Sequence, residues 1–470
     1  MSSLISIKVC RLICDYSTKM TDLIALTAAG LFDKNVPRYT SYPTAPHFHS
    51  EVGKTHFAQW LGALDITKPV SLYIHIPFCE RLCWFCACRT QGVTTLSPVA
   101  AYLEVLLAEI AMFKAQKPEG LKLARLHLGG GSPTILTPDM IDTLTRAIRD
   151  AIEFDEDYEF SVEIDPTACT EEKIVALVGG GMNRASIGVQ DFNERVQAAI
   201  GRPQGFELTR STVDTLRKHG VASVNIDMVY GLPYQDLAAL QNTVEQVISL
   251  SPDRVALFGY AHVPWMAKRQ KMIPEESLAS PQERFGQAIT AAEMFRQSGM
   301  LEIGIDHFAK PDDSLAIAAG KGNLRRNFQG YTDDKCAALI GLGASSISRF
   351  PQGYIQNNAA TTNYIKSIQS GEWSAARGFA LGLADQVRSR AIEVLMCNFE
   401  IDLAALEAEH GEFTKPVRAD CSRLAKTYPG FVSFQENRFT ILKAGRPLTR
   451  IIASGFDAFN APNHRHSRAI

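Results

Sequence analysis

The sequence predicts an α/β fold: a full or partial parallel (β/α) barrel followed by a small, mainly helical C-terminal domain. Three observations carry that expectation. From about residue 70 a short apolar run, a loop and a longer stretch of helical periodicity recur in turn, the rhythm of βα units. Polar and glycine exceptions fall at equivalent points of successive repeats, at the ends of the apolar runs. After about residue 385 the rhythm gives way to a helical stretch and two short runs around Glu436 and Asn437, which read as a hairpin.

Taken in order, VSLYIHIPF, ARLHLGGG, FSVEIDP, RASIGVQ, SVNIDMVYGLP, RVALFGYAH and LEIGIDHFA read as strands. AAYLEVLLAEIAMFKA, TPDMIDTLTRAIRDAI and PQERFGQAITAAEMFRQSGM read as crossover helices. Strands this apolar suit a parallel sheet covered on both faces, and in such sheets ligands gather at the carboxyl ends of the strands. Gly129, Gly130, Gly131, Glu163, Gln190, Asp227 and Ala261 all sit at those ends, and a cysteine-rich stretch follows the first strand. The late hairpin resembles the wing of a DNA-binding winged helix, but its surroundings are not strongly basic, so packing is its expected role. The expected division is an extension at 1–30, a segment at 31–69 contributing to the active site, a barrel at 70–380 and a helical domain with a β wing at 381–470.

Composition narrows the class. A chain of 470 residues with 46% apolar content can bury a large core and divide into two or three units. Its 48 Lys+Arg against 50 Asp+Glu give no reason to expect nucleic acid or an anionic membrane as partner. The ten cysteines lack the regular spacing of a disulfide framework, so a reducing cytoplasm is the expected compartment. No uncharged apolar run reaches the roughly 20 residues that span a bilayer. The opening LISIKVCRLICDY is broken by Lys8, Arg11 and Asp15, which speaks against a secretory signal. Met20 is a second candidate start and would leave Cys10 and Cys14 in an extension.

CERLCWFCAC, residues 79–88, packs four cysteines into ten positions. Three thiolates at CxxxCxxC spacing on one loop can converge on a single centre. Structural zinc wants four closed ligands, commonly from two knuckles, and no second knuckle is present. A redox disulfide needs fewer cysteines and a different interior. An iron–sulfur cluster held by three thiolates leaves one iron open to bind something else. On the residues alone all three remain readings of this loop.

CxxxCxxC directly after a first strand, with an aromatic between the second and third cysteines, resembles the radical S-adenosylmethionine superfamily. PRYTSYPTA at 37–45, YIHIPFC at 73–79, Cys88 completing a CxC, GGGSPT at 129–134, SVEIDP, GVQDFN, NIDMVYGLP, DHFA and RNFQGYT together resemble the oxygen-independent coproporphyrinogen III oxidases. The match runs in order from about residue 30 across nearly the whole chain.

The resemblance implies a 4Fe-4S cluster on Cys79, Cys83 and Cys86 and two molecules of S-adenosylmethionine, the first on the cluster and the second beside it. Tyr73, Gly130 and Glu163 match positions that contact the first. Phe85, Gly131, Ser132, Gln190, Arg202, Asp227, Ala261 and Ile347 match positions that contact the second. Cys88, Tyr73 and Glu163 are expected to serve catalysis, with Cys88 near the substrate or second cofactor and not on the cluster. Taken singly, GGG is a turn, Asp227 a helix cap and Phe85 core; their joint order carries the functional reading. His75 fits either a support of the cluster or an ordinary hydrogen-bonded strand residue.

The implied reaction takes a hydrogen from the propionate β-carbon with a 5'-deoxyadenosyl radical, then releases CO₂ and an electron to leave a vinyl group. Two propionates of coproporphyrinogen III react, giving protoporphyrinogen IX in heme biosynthesis. Four propionates in a largely apolar pocket call for cations, for which Arg38, Arg325 and Arg326 are candidates, with Tyr39 and Tyr42 as hydroxyl donors. An electron donor of flavodoxin or ferredoxin type and a terminal acceptor are implied, a monomer is expected, and the C-terminal domain is expected to cover the substrate opening. The chain departs from the family pattern at Ser132, where threonine is usual, and at Trp84 and Ala87, where tyrosine and glycine are common. A heme chaperone of the same superfamily shares the three cysteines, but Cys88 and PRYTSYPTA favour the oxidase.

Overall fold

Alternation along the strands decides the architecture. In the computed structural model, which describes residues 23–460 and 468–469, six strands lie parallel and in chain order: β1 (Val70–Ile76), β2 (Lys122–Gly130), β3 (Glu153–Ile164), β4 (Arg184–Gln190), β5 (Ser223–Tyr230) and β6 (Arg254–Gly259). Met1, Met20, Cys10 and Cys14 lie outside the described residues. A seventh parallel strand, β7 (Leu339–Leu342), joins the other side of β1. Antiparallel strands extend the sheet at both ends to twelve in all, and the two outermost do not pair with each other. The barrel is therefore partial.

One face of the parallel strands is apolar. Leu72, Ile74, Leu126, Leu128, Phe160, Val162, Ala185, Ile187, Val224 and Ile226 are buried in one core with residues of the crossover helices, such as Leu106, Leu144, Leu177, Leu216 and Val244. Burial of these side chains, about 1.5–3 kcal/mol for each Leu, Ile, Val or Phe, is what fixes the strand faces. The helices begin on local signals: Thr137 accepts from the N–H of Met140, Asp236 from that of Ala239, and Ser280 with Glu283 forms a capping box.

The other face is polar, although several of its residues, among them Ser71, His75, Ser161 and Arg184, are buried. Its polar side chains fall at three levels along the strands. The lowest layer is charged: Glu159 pairs with Arg125 (3.0 Å) and Arg184 (2.9 Å), Arg125 also with Asp333 (3.2 Å), and Arg254 with Asp313 (2.6 Å). Above it Tyr73 lies opposite His127, His127 opposite Ser161, and Ser186 opposite Asn225. The top layer holds His75 opposite Gly129, Glu163 two residues beyond Ser161, and Gly188 opposite Asp227.

The run LEIGIDHFA is not a further βα strand. Gly304 takes φ 59° and breaks it into Leu301–Ile303 and His307–Ala309, an antiparallel pair whose second arm lies antiparallel to β6. This sheet with its helices forms one compact unit, Ala45–Gly320 and Asp333–Leu381. Residues 31–69 thus do not stay together: 45–69 belong to this unit, and those up to Thr44 to the other.

The second unit collects residues 23–44, Lys321–Thr332 and the described residues from Gly382 onward. Helices Leu383–Asn398, Leu403–His410 and Lys415–Thr427 are joined there by a three-stranded antiparallel sheet, in which Val432–Gln435 and Arg438–Ile441 turn at Glu436 (φ 53°). Among the described residues no helix is long and apolar enough to cross a membrane.

Candidate active site

The cysteine loop leaves the carboxyl end of β1 and is tied down along its length. At its base Phe78–Cys79 pairs in parallel with Gln91–Gly92, and Val93 N–H donates to the Cys79 carbonyl at 3.1 Å. Arg81 Nη1 donates to the Pro203 carbonyl (3.0 Å) and Trp84 N–H to that of Ile200 (2.8 Å). The indole of Trp84 covers Gly201, where an added Cβ would come within 3.0 Å of the ring. Trp84 and Phe85 pack against an apolar group that includes Val196, Ile200, Leu232 and Ile273. The tryptophan that departs from the family pattern is therefore seated.

Cys79, Cys83, Cys86 and Cys88 are free thiols. Although Cys88 is exposed as a residue, its backbone N–H donates to Cys86 Sγ at 3.4 Å and its thiol bonds the same sulfur, which draws Cys86 down and pushes Cys88 up. Burial pushes Cys79 up to about 12. Arg202 Nη1 donates to Cys83 Sγ at 3.3 Å. Among the described residues no three His, Cys, Asp or Glu side chains converge as they would on one metal ion, whereas an iron–sulfur cluster takes its thiolates on separate irons.

Beside the loop, the top two polar layers form a connected group. Gly130 N–H donates to Glu163 Oε2 (3.1 Å), and Gly130 has φ 112°. A Cβ there would fall 2.5 Å from the His75 ring, so only glycine permits this approach. His127 contacts Ser161 Oγ through Nδ1 (2.5 Å) and Glu163 Oε1 through Nε2 (3.5 Å), and its ring stacks on Tyr73 with centroids 5.7 Å apart. The Tyr73 hydroxyl meets His75 Nδ1 at 2.9 Å. Burial raises the Tyr73 hydroxyl, helped by the charge of Glu163, and lowers His75, so both favour their neutral forms.

Residues 73–247 match the family model of the radical SAM superfamily. The chain is 55% identical to an oxygen-independent coproporphyrinogen III oxidase of Cereibacter sphaeroides (strain ATCC 17025 / ATH 2.4.3), over 96% of this chain and 100% of the relative. The chain belongs to the oxygen-independent coproporphyrinogen III oxidases. A Paracoccus denitrificans oxidase of the same name is 51% identical over 95% of this chain and 99% of its own. Coproporphyrinogen III oxidase (HemN) from Escherichia coli superposes with a TM-score of 0.86 at 35% identity, covering 91% of this chain and 100% of that one. Members of the radical SAM superfamily are enzymes that use a 4Fe-4S cluster and S-adenosylmethionine, and three thiols on one tethered loop with a guanidinium on Cys83 suit such a cluster.

Most of the remaining expected residues of this oxidase lie at or just beyond the ends of the strands, while Arg202 follows the helix Glu194–Ala199. Gly131 N–H donates to the Ile76 carbonyl and Ser132 N–H to that of Phe78, each at 2.8 Å, so GGGS is laced onto the start of the cysteine loop. The Ser132 hydroxyl is hydrogen-bonded to Thr134 Oγ1 at 2.9 Å. Gln190 ends β4 at φ 68°. Asp227 accepts from Asn225 (2.8 Å) and Ser186 (3.2 Å), and burial raises its carboxyl. Ala261 follows β6, and Ile347 opens the strand after β7. Arg202 is spent largely on protein: besides Cys83 it donates to the Gly188 carbonyl (2.8 Å) and lies 3.7 Å from Asp165, leaving a buried Nε without a protein partner.

Arg38, Tyr39, Arg325 and Arg326 belong to the other unit. Arg326 Nη2 donates to the Arg38 carbonyl (3.3 Å), and its guanidinium lies over the Tyr331 ring. Arg325 pairs with Glu393 at 2.9 Å, and Tyr39 donates its hydroxyl to Asp457 at 3.0 Å. Tyr42 accepts from the N–H of Ala458. Both hydroxyls expected to serve substrate are thus engaged by protein.

Sequence reasoning missed His127, Ser161, Ser186 and Asn225. Their signal was present: in ARLHLGG, FSVEI, RASIGVQ and SVNIDM, polar residues or glycine recur at every second position.

Proposed function

We propose that this chain decarboxylates two propionate side chains of coproporphyrinogen III to vinyl groups without oxygen, yielding protoporphyrinogen IX in heme biosynthesis. The observation that carries the reading is the tethered cysteine loop at the carboxyl end of β1, adjoining the Gly130–Glu163 pair. When bound, the cluster and S-adenosylmethionine supply a 5'-deoxyadenosyl radical able to take hydrogen from an unactivated C–H bond. Each propionate gives up a β-hydrogen, then CO₂ and one further electron, which leaves to an acceptor.

The chain's own task is to bind, orient and keep water away. Cys79, Cys83 and Cys86 hold the cluster. Glu163, fixed by the Gly130 N–H, offers a carboxylate to the ammonium or ribose of a first S-adenosylmethionine, with Tyr73 alongside. A second molecule lies against Phe85, Gly131, Ser132, Gln190, Asp227, Ala261 and Ile347. The unpartnered Nε of Arg202 favours a carboxylate there. Cys88, whose backbone N–H donates to Cys86 Sγ at 3.4 Å, serves catalysis near the substrate or the second cofactor and not as a cluster ligand. Arg38, Arg325 and Arg326 are the cations offered to the propionates. The protein acts as a cytoplasmic monomer and takes its electron from a small flavodoxin- or ferredoxin-type donor.

One anaerobic assay tests this: reconstituted protein is given reductant, S-adenosylmethionine and coproporphyrinogen III. Divinyl product together with 5'-deoxyadenosine and methionine is expected. Retention of heme without product would replace the enzyme reading with that of a heme chaperone.

A further inference from the structure

Gln270 belongs to none of the motifs above, yet every polar end of its side chain is committed. It lies in the short turn Lys268–Met272 with 1% of its surface exposed. Its Nε2 donates to the Phe85 carbonyl at 2.7 Å and to the Ala261 carbonyl at 3.1 Å, and its Oε1 accepts from the Val263 N–H at 2.5 Å. One amide therefore bridges the backbone of the cysteine loop and the backbone of the segment after β6. Its neighbour Arg269 donates through Nη2 to the Cys88 carbonyl (2.9 Å) and to Thr90 Oγ1 (3.1 Å). Two adjacent residues of one turn thus grip the loop at Phe85 and Cys88, on either side of Cys86. The turn is itself anchored, since Ile273 lies in the apolar group on which Trp84 and Phe85 pack.

We infer that Gln270 is a positioning residue, setting the spacing between the cysteine loop and the 261–263 segment so that both present their backbone to the same cofactor. Only a primary amide of this length supplies two N–H donors and one acceptor at once. A filler of the same shape without donors would leave two buried carbonyls unpaired, a cost an apolar packing role would not explain. The inference rests on the proposed function, in which Phe85 and Ala261 both border S-adenosylmethionine.

The test uses full-length protein reconstituted with iron and sulfide under anaerobic conditions, as wild type, Gln270→Glu, Gln270→Ala and Lys268→Ala. Gln270→Glu keeps size and acceptor but loses both donors. Iron and sulfide content, equilibrium binding of S-adenosylmethionine and the change it causes in the electron paramagnetic resonance spectrum of the reduced cluster are measured. Gln270→Glu is expected to load its cluster, to bind S-adenosylmethionine about tenfold more weakly and to show an altered spectral change. Gln270→Ala moves in the same direction, and the exposed Lys268→Ala matches wild type. Wild-type affinity and spectrum in Gln270→Glu would overturn the inference, and that variant decides if Gln270→Ala does not fold. A wild-type protein that takes up no iron and sulfide would instead overturn the proposed function itself.

Discussion

The backbone N–H of Gly130 and the carboxylate of Glu163 meet at 3.1 Å across the ends of two adjacent parallel strands. Because Gly130 holds φ 112° against the His75 ring, this contact fixes one carboxylate oxygen and aims the other. Glu163→Gln keeps an acceptor for Gly130 but removes the charge. Affinity for S-adenosylmethionine is expected to fall at least tenfold, about 1.4 kcal/mol, with cluster iron unchanged. Equilibrium binding to the reconstituted variant measures this, and unaltered affinity would remove Glu163 from the cofactor site.

The cysteines should divide three to one. Alanine at Cys79, Cys83 or Cys86 is expected to abolish the cluster, read as iron, sulfide and visible absorbance. Cys88→Ser should retain the cluster and lose product formation, while reductive cleavage of S-adenosylmethionine persists. A Cys88 variant devoid of iron would make that cysteine a ligand.

Stability should depend on the charged layer beneath the site. Burial pushes the Glu159 carboxyl up, but Arg184 and Arg125 outweigh it and the net shift is downward. Its contribution is present above the ordinary carboxylate range and fades as pH falls through the lowered value. Glu159→Gln leaves Arg184 and Arg125 undercompensated, and about 3 kcal/mol of unfolding free energy should be lost. Denaturant unfolding at neutral pH checks the figure; a loss below about 1 kcal/mol would show the layer to be solvated.

Glu109 predicts the opposite slope. This fully buried carboxyl accepts from Gly343 N–H (2.6 Å), Asn357 Nδ2 (2.9 Å) and the Tyr364 hydroxyl (2.7 Å). Burial outweighs these bonds and raises it from 4.5 to about 7. A raised acid favours the folded state fully below its unfolded value and less as pH climbs to the folded one. Stability should therefore fall between about pH 4.5 and 7, at up to about 1.4 kcal/mol per pH unit. Urea titrations across that window should show a shallower slope in Glu109→Gln, and identical slopes would contradict the raised value.

Arg325→Ala is expected to raise KM for coproporphyrinogen III about tenfold, with cleavage of S-adenosylmethionine unchanged. The paired carboxylate supplies the control: Glu393→Gln, which frees the guanidinium from its ion pair, should not raise KM. Parallel loss of both activities in Arg325→Ala would assign Arg325 to folding of its own unit.

Much of this was written in local order. The βα rhythm, the CxxxCxxC loop after the first strand and the exceptions at strand ends are short-range patterns, because apolar period and turn chemistry act within a dozen residues. That is why Cys79, Cys83, Cys86, Gly130 and Glu163 could be picked out before any contact was known. Only the folded chain decided the rest. Side chains alternate faces, so pairing register determined that Tyr73 stacks on His127 and that Arg125 lies beside Glu159. Strand β7 pairs with β1 across more than 250 residues, and Gln270 reaches Phe85 over a sequence separation of 185; no local signal marks partners so distant, since their meeting is set by how the whole sheet packs.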